Sequence, residues 1–77
     1  MNETNQRLVA SVAKHFENQG LSHEELIAAG NRGLQKAEEH YKPNTRFRFI
    51  AYAVWWIRQY LIEAVKEHKN NNELEKS

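Results

Sequence analysis

Aromatic and basic side chains are concentrated in one short stretch of this sequence. Six of its eight aromatic residues fall within fourteen positions that also hold two arginines: Phe47, Phe49, Tyr52, Trp55, Trp56 and Tyr60, with Arg48 and Arg58. Rings stack on nucleobases for roughly 1–3 kcal/mol per base, and cationic groups neutralise phosphates. The chemistry open to this stretch is therefore the binding of a nucleic acid whose bases have left the helical stack, since duplex DNA hides the faces of its bases.

The charge distribution along the chain also favours a polyanionic partner. The formal net charge is only +1. Residues 40–62, however, contain no acid and four basic residues, whereas the rest of the chain holds seven basic and ten acidic residues. The four are Lys42, Arg46, Arg48 and Arg58. A basic centre between more acidic flanks predicts that phosphates approach this centre.

A helix is expected to position the aromatic stretch. Apolar residues with a period near 3.6 predict a third helix from about residue 48 to residue 68, with an inward stripe of Ile50, Ala53, Ile57, Leu61, Ala64 and Val65. Successive helical residues point about 100° apart, so Trp55 and Trp56 cannot both face that stripe. Core roles explain Phe47, Phe49 and Tyr60 equally well. The outward face is predicted to carry Arg48, Tyr52, Trp55 and Gln59.

Two further helices are expected upstream of that stretch. The first covers about residues 5–18, buries Leu8, Val9, Val12, Ala13 and Phe16, and stops before Gly20. Ser22 and Glu25 have the spacing of a capping box, which predicts the start of the second helix. The apolar stripe of that helix is Leu26, Ile27, Leu34, Ala37 and Tyr41.

Two glycines lie inside the predicted second helix. Each costs about 1 kcal/mol relative to alanine, so Gly30 and Gly33 indicate either a break or the close approach of another helix, and we favour close approach. Pro43 marks the loop that follows.

The predicted fold class is all-α, a compact three-helix bundle in one domain over residues 1–77. Its ordered core is expected at about residues 5–68, followed by a polar tail over residues 69–77 that frays. At this size only about 60% of the unfolded surface can be buried. The absence of cysteine excludes disulfides and cysteine-ligated zinc. No apolar run is long enough to span a membrane, so we predict a cytosolic protein without membrane contact, cofactor or metal.

The aromatic stretch resembles a known family. The run Phe47-Arg-Phe-Ile-Ala-Tyr-Ala-Val-Trp-Trp-Ile-Arg-Gln59 is similar to the promoter-melting part of region 2 of bacterial sigma-70 factors. Upstream, Asn5-Gln-Arg-Leu-Val-Ala-Ser-Val-Ala-Lys14 resembles the first helix of that region, and Gly20-Leu-Ser, Glu25-Leu-Ile and Gly30-Asn-Arg-Gly-Leu34 resemble its polymerase-binding segment. The resemblance covers about residues 5–68.

The resemblance implies a role in transcription initiation, with core RNA polymerase and promoter DNA as partners. It implies that Tyr52 stacks on a flipped adenine of the −10 element, and that Trp55 and Trp56 form a wedge at the upstream fork. The other implied DNA-binding residues are Arg46, Arg48, Phe49, Arg58 and Gln59. The coiled coil of the largest polymerase subunit is expected to contact Glu25, Leu26, Ile27 and Asn31. An anti-sigma protein is a further candidate partner.

The sequence also departs from the family pattern. Ala28 and Ala29 stand where polar residues are usual, which predicts weaker polymerase binding. Thr45 and Arg46 replace an arginine-glycine pair, which predicts a different loop shape. Ile62 and Glu63 replace a hydroxyl and a basic group, which predicts a loss of duplex contact. Within these 77 residues no helix-turn-helix follows that would read a −35 element. The segment alone is therefore expected to bind promoters weakly, because it gains nothing from a second DNA site.

Three other functions compete with this interpretation. A decoy would occupy the polymerase without opening promoters. A helix-turn-helix repressor would need polar side chains that read base edges, where the third helix offers rings instead. An enzyme is disfavoured, since the four histidines lack metal-ligand spacing and the sequence has neither a nucleophile elbow nor a phosphate-binding loop.

Overall fold

The computed structural model describes residues 3–42 and 48–76, with side chains described as far as residue 71. Three α-helices run in order: α1 over Glu3–Ala13, α2 over His23–His40 and α3 over Phe49–Lys76, and a short 3-10 turn, Lys14–Phe16, extends α1. No strand occurs among the described residues. This confirms the predicted all-α three-helix fold. The loop predicted at Pro43, together with Arg46 and Phe47, lies outside the described residues.

The core is an apolar seam shared by the three helices. Its least exposed large side chains are Val9 of α1, Leu26 and Leu34 of α2, and Ile57 and Leu61 of α3, each at 1% exposure or less. No polar or charged residue is buried among the described residues. The burial of these apolar side chains, worth about 1.5–3 kcal/mol for each large one, therefore drives the packing of the helices.

The chain leaves α1 earlier than the sequence predicts. The α-helix ends at Ala13 and not near residue 18. Beyond the 3-10 turn, Asn18 and Gly20 both adopt positive φ, 68° and 106° respectively. Such a backbone is unfavourable for most side chains. A Cβ at Gly20 would also lie 2.6 Å from the His68 ring of α3, so glycine meets both a conformational and a packing requirement here.

The predicted capping box is present at the start of α2. The Ser22 hydroxyl accepts a hydrogen bond from the Glu25 N–H at 3.1 Å, and the Glu25 carboxylate accepts one from the Ser22 N–H at 3.1 Å. The hydrogen bond from the Ser22 backbone is the main cause of a lowered pKa for Glu25, and the Ser22 side chain adds to it. Two open amides of the helix terminus are thereby satisfied.

The two glycines of α2 mark close helix packing, and α2 is uninterrupted across them. A Cβ at Gly33 would lie 2.7 Å from the Trp56 carbonyl oxygen and 2.8 Å from the Ile57 Cα, both backbone atoms of α3. A Cβ at Gly30 would lie 2.7 Å from a methyl carbon of Val9 in α1. Gly33 thus lets α2 and α3 approach backbone to backbone, and Gly30 makes room for a core side chain.

Two predictions about α3 are wrong. Ile50 was expected in the inward stripe but is 57% exposed, because it stands in the first turn of α3, where no described element covers it. The helix was expected to end near His68 and continues to Lys76. Once a helix has formed, each added residue gains a hydrogen bond, so polar residues such as Lys69 and Asn70 can extend it. At 28 residues α3 would be about 42 Å long, which explains the 49 Å long axis of the molecule.

No helix in the described part of the chain is long and apolar enough to cross a membrane.

We predict that Gly33→Ala destabilises the domain by about 1–3 kcal/mol, because the new methyl group meets backbone atoms that cannot rotate away. This loss should exceed the gain of about 1 kcal/mol in helix propensity. Urea denaturation would measure it. The matched comparison is Gly30→Ala, whose new methyl group meets the Val9 side chain. Adding Val9→Ala to that variant should therefore restore part of its stability. Wild-type stability for Gly33→Ala would contradict the close approach of α2 and α3.

We predict that Ser22→Ala lowers the free energy of unfolding by about 1 kcal/mol through loss of the N-cap. Because the pKa of Glu25 is lowered on folding, its contribution is present above the ordinary value of 4.5 and is lost as the pH falls through the folded pKa. In the variant, the pKa of Glu25 should rise only in part, because the backbone N–H at position 22, the main cause of the lowered pKa, is retained; an NMR titration would show this. Ser22→Asp keeps an acceptor at the N-cap and should stay near wild-type stability. Wild-type stability of Ser22→Ala would contradict the role of the Ser22 hydroxyl as N-cap.

Candidate nucleic-acid interface

The outward face of α3 carries the predicted combination of ring, guanidinium and amide. Trp55 is 57% exposed, and Arg48 and Gln59 are also exposed. Tyr52 is half-buried and packs against the core. Helical geometry places Tyr52, Trp55 and Gln59 within about 60° of arc on one side of α3, and Arg48 immediately precedes that helix. The structure therefore brings these four predicted site residues together on a single surface.

A continuous group of rings lies on and behind that face. It is here called the aromatic cluster and consists of His40, Tyr41, Phe49, Tyr52, Trp55, Trp56 and Tyr60. Trp56 lies at its centre, with ring centroids 5.5 Å from Trp55, 6.4 Å from Tyr52 and 6.4 Å from Tyr60. Edge-to-face and tilted pairs of this kind stabilise each other beyond their buried area. Trp56 and Phe49 are half-buried and pack against the core. Both therefore support the face from the side of α2 and expose little ring surface of their own.

Two residues of the aromatic cluster come from the end of α2, and sequence reasoning missed both contacts. The His40 ring stacks on Trp56 with centroids 5.2 Å apart and an interplanar angle of 7°. The Tyr41 ring lies 5.2 Å from Phe49 and 5.5 Å from Tyr52. Tyr41 was predicted to continue the apolar stripe of α2, but it follows the last residue of that helix. The positions of His40 and Tyr41 in the sequence do not predict these contacts, because the contacts depend on how α2 and α3 pack.

The predicted basic residues occupy different positions around the face. Arg48 begins the exposed face one turn before Tyr52. Arg58 lies one turn after Trp55, on the side towards α1, where it borders an open groove of about 630 Å³ with Leu8, Val12 and Phe16 on its walls. Neither arginine forms an ion pair with any described residue, so both cations can meet an incoming anion. Arg46 lies outside the described residues.

The predicted polymerase-binding residues do not share one surface. Helical geometry puts Ile27 and Asn31 one turn apart on one flank of α2, and Glu25 at least 120° away from both. Ile27 and Asn31 are half-buried, and Glu25 is exposed. Leu26 is fully buried in the core. The assignment of Leu26 as a contact residue is therefore corrected, since its side chain has no surface to offer a partner.

The flank of α2 that carries Glu25 faces the second half of α3 across an open groove of about 340 Å³. Glu25, Ala28 and Ala29 line the groove from α2, and Ala64, Glu67 and His68 line it from α3. Ala28 is exposed and Ala29 is 9% exposed. The two alanines noted as departures in the sequence thus form part of the groove wall, where longer polar side chains would narrow it.

Metal chemistry has no candidate centre in the part of the chain that the structure describes, where no group of three or more histidine, aspartate or glutamate side chains could hold an ion. The chemistry of this surface is stacking, hydrogen bonding and charge neutralisation.

Comparison with known proteins gives a family match. The family model for sigma-70 region 2 matches residues 1–71. The chain is 46% identical over 68 residues to the RNA polymerase sigma factor SigA4 of Synechococcus elongatus, 48% identical over 65 residues to RpoS of Coxiella burnetii, and 43% identical over 61 residues to the chloroplastic sigma factor sigF of Arabidopsis thaliana.

These alignments cover most of this chain and a small part of each relative. They include 88%, 84% and 79% of the chain, but only 22%, 18% and 11% of the three relatives respectively. The match to the family model includes α1, α2, α3 as far as residue 71, and the aromatic cluster. The chain therefore belongs to the sigma-70 region 2 family.

Proposed function

We propose that this chain acts in transcription initiation, docking on core RNA polymerase through α2 and capturing the unpaired non-template strand of a promoter −10 element on the outward face of α3. One observation carries the proposal: an exposed indole, Trp55, stands between a guanidinium and an amide and is supported from behind by a packed ring, Trp56. An exposed ring in this setting offers an unpaired base a stacking surface next to groups that can meet phosphate and base edges.

The energetics favour a strand that is already opening. Extracting a base from duplex DNA costs a few kcal/mol, and each stacking contact returns roughly 1–3 kcal/mol. Stacking on one or two rings can therefore offset the free energy of extracting one base from the duplex. Tyr52 and Trp55 are the rings we assign to this task, with Arg46, Arg48 and Arg58 next to phosphates and Gln59 at the upstream edge.

Packing of the aromatic cluster reduces the entropic cost of binding. Tyr52 contacts Tyr41 and Trp56 in the free chain, and Trp55 contacts Trp56. A side chain that is already held in place loses less conformational freedom when a ligand binds. The face is thus preorganised, and more of the stacking energy remains available to hold the strand.

For polymerase docking we assign the exposed surface of α2, with Glu25 next to the groove between α2 and α3, and Ile27 and Asn31 on the other flank. Glu25 also caps the helix, so its carboxylate is held at a fixed position. The alanines at 28 and 29 supply no polar contact in the groove. We therefore expect docking that is measurable but weaker than polar side chains at these positions would give.

The test of this function is a titration of the 77-residue chain with core RNA polymerase, followed by addition of forked DNA that carries a −10 element on the unpaired strand. We expect docking, and then capture that a scrambled strand sequence abolishes. Docking without capture would instead identify a decoy that occupies the polymerase. No docking under any condition would contradict the assignment of α2.

We predict that Trp55→Ala weakens capture of the forked DNA by the polymerase-bound chain by roughly 1–3 kcal/mol, the energy of one stacking contact. Trp55 suits this test better than Tyr52 because the half-buried Tyr52 ring also supports the fold. Fluorescence anisotropy of labelled DNA would measure the affinity, and thermal unfolding should stay close to that of the wild type. Unchanged capture would remove Trp55 from the interface.

The matched comparison is Arg48→Ala, which removes a charge and keeps every ring. Its affinity should fall less steeply with salt, the log–log slope becoming shallower by about 0.7 for one lost phosphate contact to a single strand. Trp55→Ala should leave that slope unchanged. Equal slopes for all three proteins would contradict the phosphate role of Arg48.

A further inference from the structure

The rings that contact Trp56 differ in their interplanar angle and centroid distance. His40 covers it in a parallel stack at 7°, and Trp55 meets it nearly perpendicularly, at 89°. Tyr52 and Tyr60 approach at larger centroid distances of 6.4 Å. Among the described residues, the closest ring contact of Trp56 is therefore with His40, a residue of α2.

Trp55 depends on Trp56 for its own position. Within the described part of the chain, Trp56 is the only ring in contact with Trp55, and more than half of Trp55 faces solvent. An indole on an exposed helix face can otherwise rotate among several side-chain conformers. Anything that fixes the Trp56 ring therefore also restricts Trp55.

His40 is well placed to fix the Trp56 ring because the backbone on either side of it is held. His40 is the last residue of α2, and the Tyr41 N–H donates a hydrogen bond to the Ala37 carbonyl oxygen at 2.9 Å. Tyr41 in turn packs against Phe49 and Tyr52. His40, which ends α2, and Tyr41, which follows it, thus both contact aromatic side chains of α3.

We infer that His40 is a positioning residue for DNA capture, which fixes the Trp56 ring by parallel stacking and through it holds Trp55 in the orientation that meets the DNA. The inference rests on the proposed function, because it assumes that Trp55 faces DNA. The ring of His40 does the positioning, so another flat ring can replace it and an aliphatic cation cannot.

The test uses three variants: His40→Ala, which removes the ring; His40→Phe, which keeps a ring; and His40→Lys, which replaces the ring with an aliphatic cation. His23→Ala is the control, since this exposed histidine at the start of α2 is outside the aromatic cluster. Circular dichroism of the free chain reports the paired indoles through their exciton couplet. Capture of forked DNA by the polymerase-bound chain reports function.

We expect His40→Ala and His40→Lys to weaken the couplet and to lower DNA affinity by about 2- to 10-fold, the range for one aromatic pair. His40→Phe should restore both signals, and His23→Ala should change neither. Thermal unfolding should stay near that of the wild type throughout, because His40 is exposed.

Three results would overturn the inference. A wild-type couplet in His40→Ala would show that His40 does not fix the tryptophan pair, and lower DNA affinity in that case would indicate direct contact of His40 with DNA. A weakened couplet with unchanged capture would show that the orientation of the pair does not matter for DNA. Failure of His40→Phe to restore capture would exclude a role for the ring. By contrast, a wild-type chain that docks on the polymerase but captures no DNA would contradict the proposed function itself. The couplet is measured without DNA, so it tests the contact between His40 and Trp56 independently of that function.

Discussion

The backbone approach of α2 and α3 at Gly33 determines how the remaining parts of this molecule fit together. Because the Cα of Ile57 and the carbonyl of Trp56 lie where a side chain would otherwise stand, α2 reaches α3 at the level of the tryptophan pair. That proximity lets the end of α2 place rings against α3. A domain of this size has little core to spare, so a small residue at one crossing point has effects on both the packing and the surface.

The stability of the fold and the proposed DNA binding depend on different sides of α3. The side that faces α1 and α2 is apolar and fully buried at Ala53, Ile57 and Leu61. The opposite side carries exposed polar and aromatic groups and contributes little to the core. Trp56 and Tyr52 lie between the two sides and serve both, since they pack inward and support Trp55 outward. Substitutions at these two positions therefore change folding and surface together, whereas Trp55 can be changed with much less effect on the fold.

Much of the fold follows from local rules that the sequence displays. The period of apolar residues predicts the three helices and most of the core, and the Ser22–Glu25 spacing predicts a cap that the structure contains. The errors arise where tertiary context decides. Ile50 has the correct angular position for the core but stands beyond the elements that could cover it. Leu26 was assigned to a partner surface through family resemblance, although its side chain is fully buried in the core. His40 and Tyr41 join the aromatic cluster through the packing of α2 on α3, which no spacing within α2 can reveal.

The rise of α3 constrains the path of any strand that lies along its outward face. Each residue advances about 1.5 Å along the helix axis, so Tyr52 and Trp55 are offset by about 4.5 Å, and Tyr52 and Gln59 by about 10.5 Å. Stacked bases of one DNA strand advance by about 3.4 Å. The offset between Tyr52 and Trp55 is therefore about 1 Å wider than one stacked step, whereas the offset between Tyr52 and Gln59 is close to three steps. Under the proposed function, a strand on this face is stretched between the two rings and regains its regular rise by the level of Gln59.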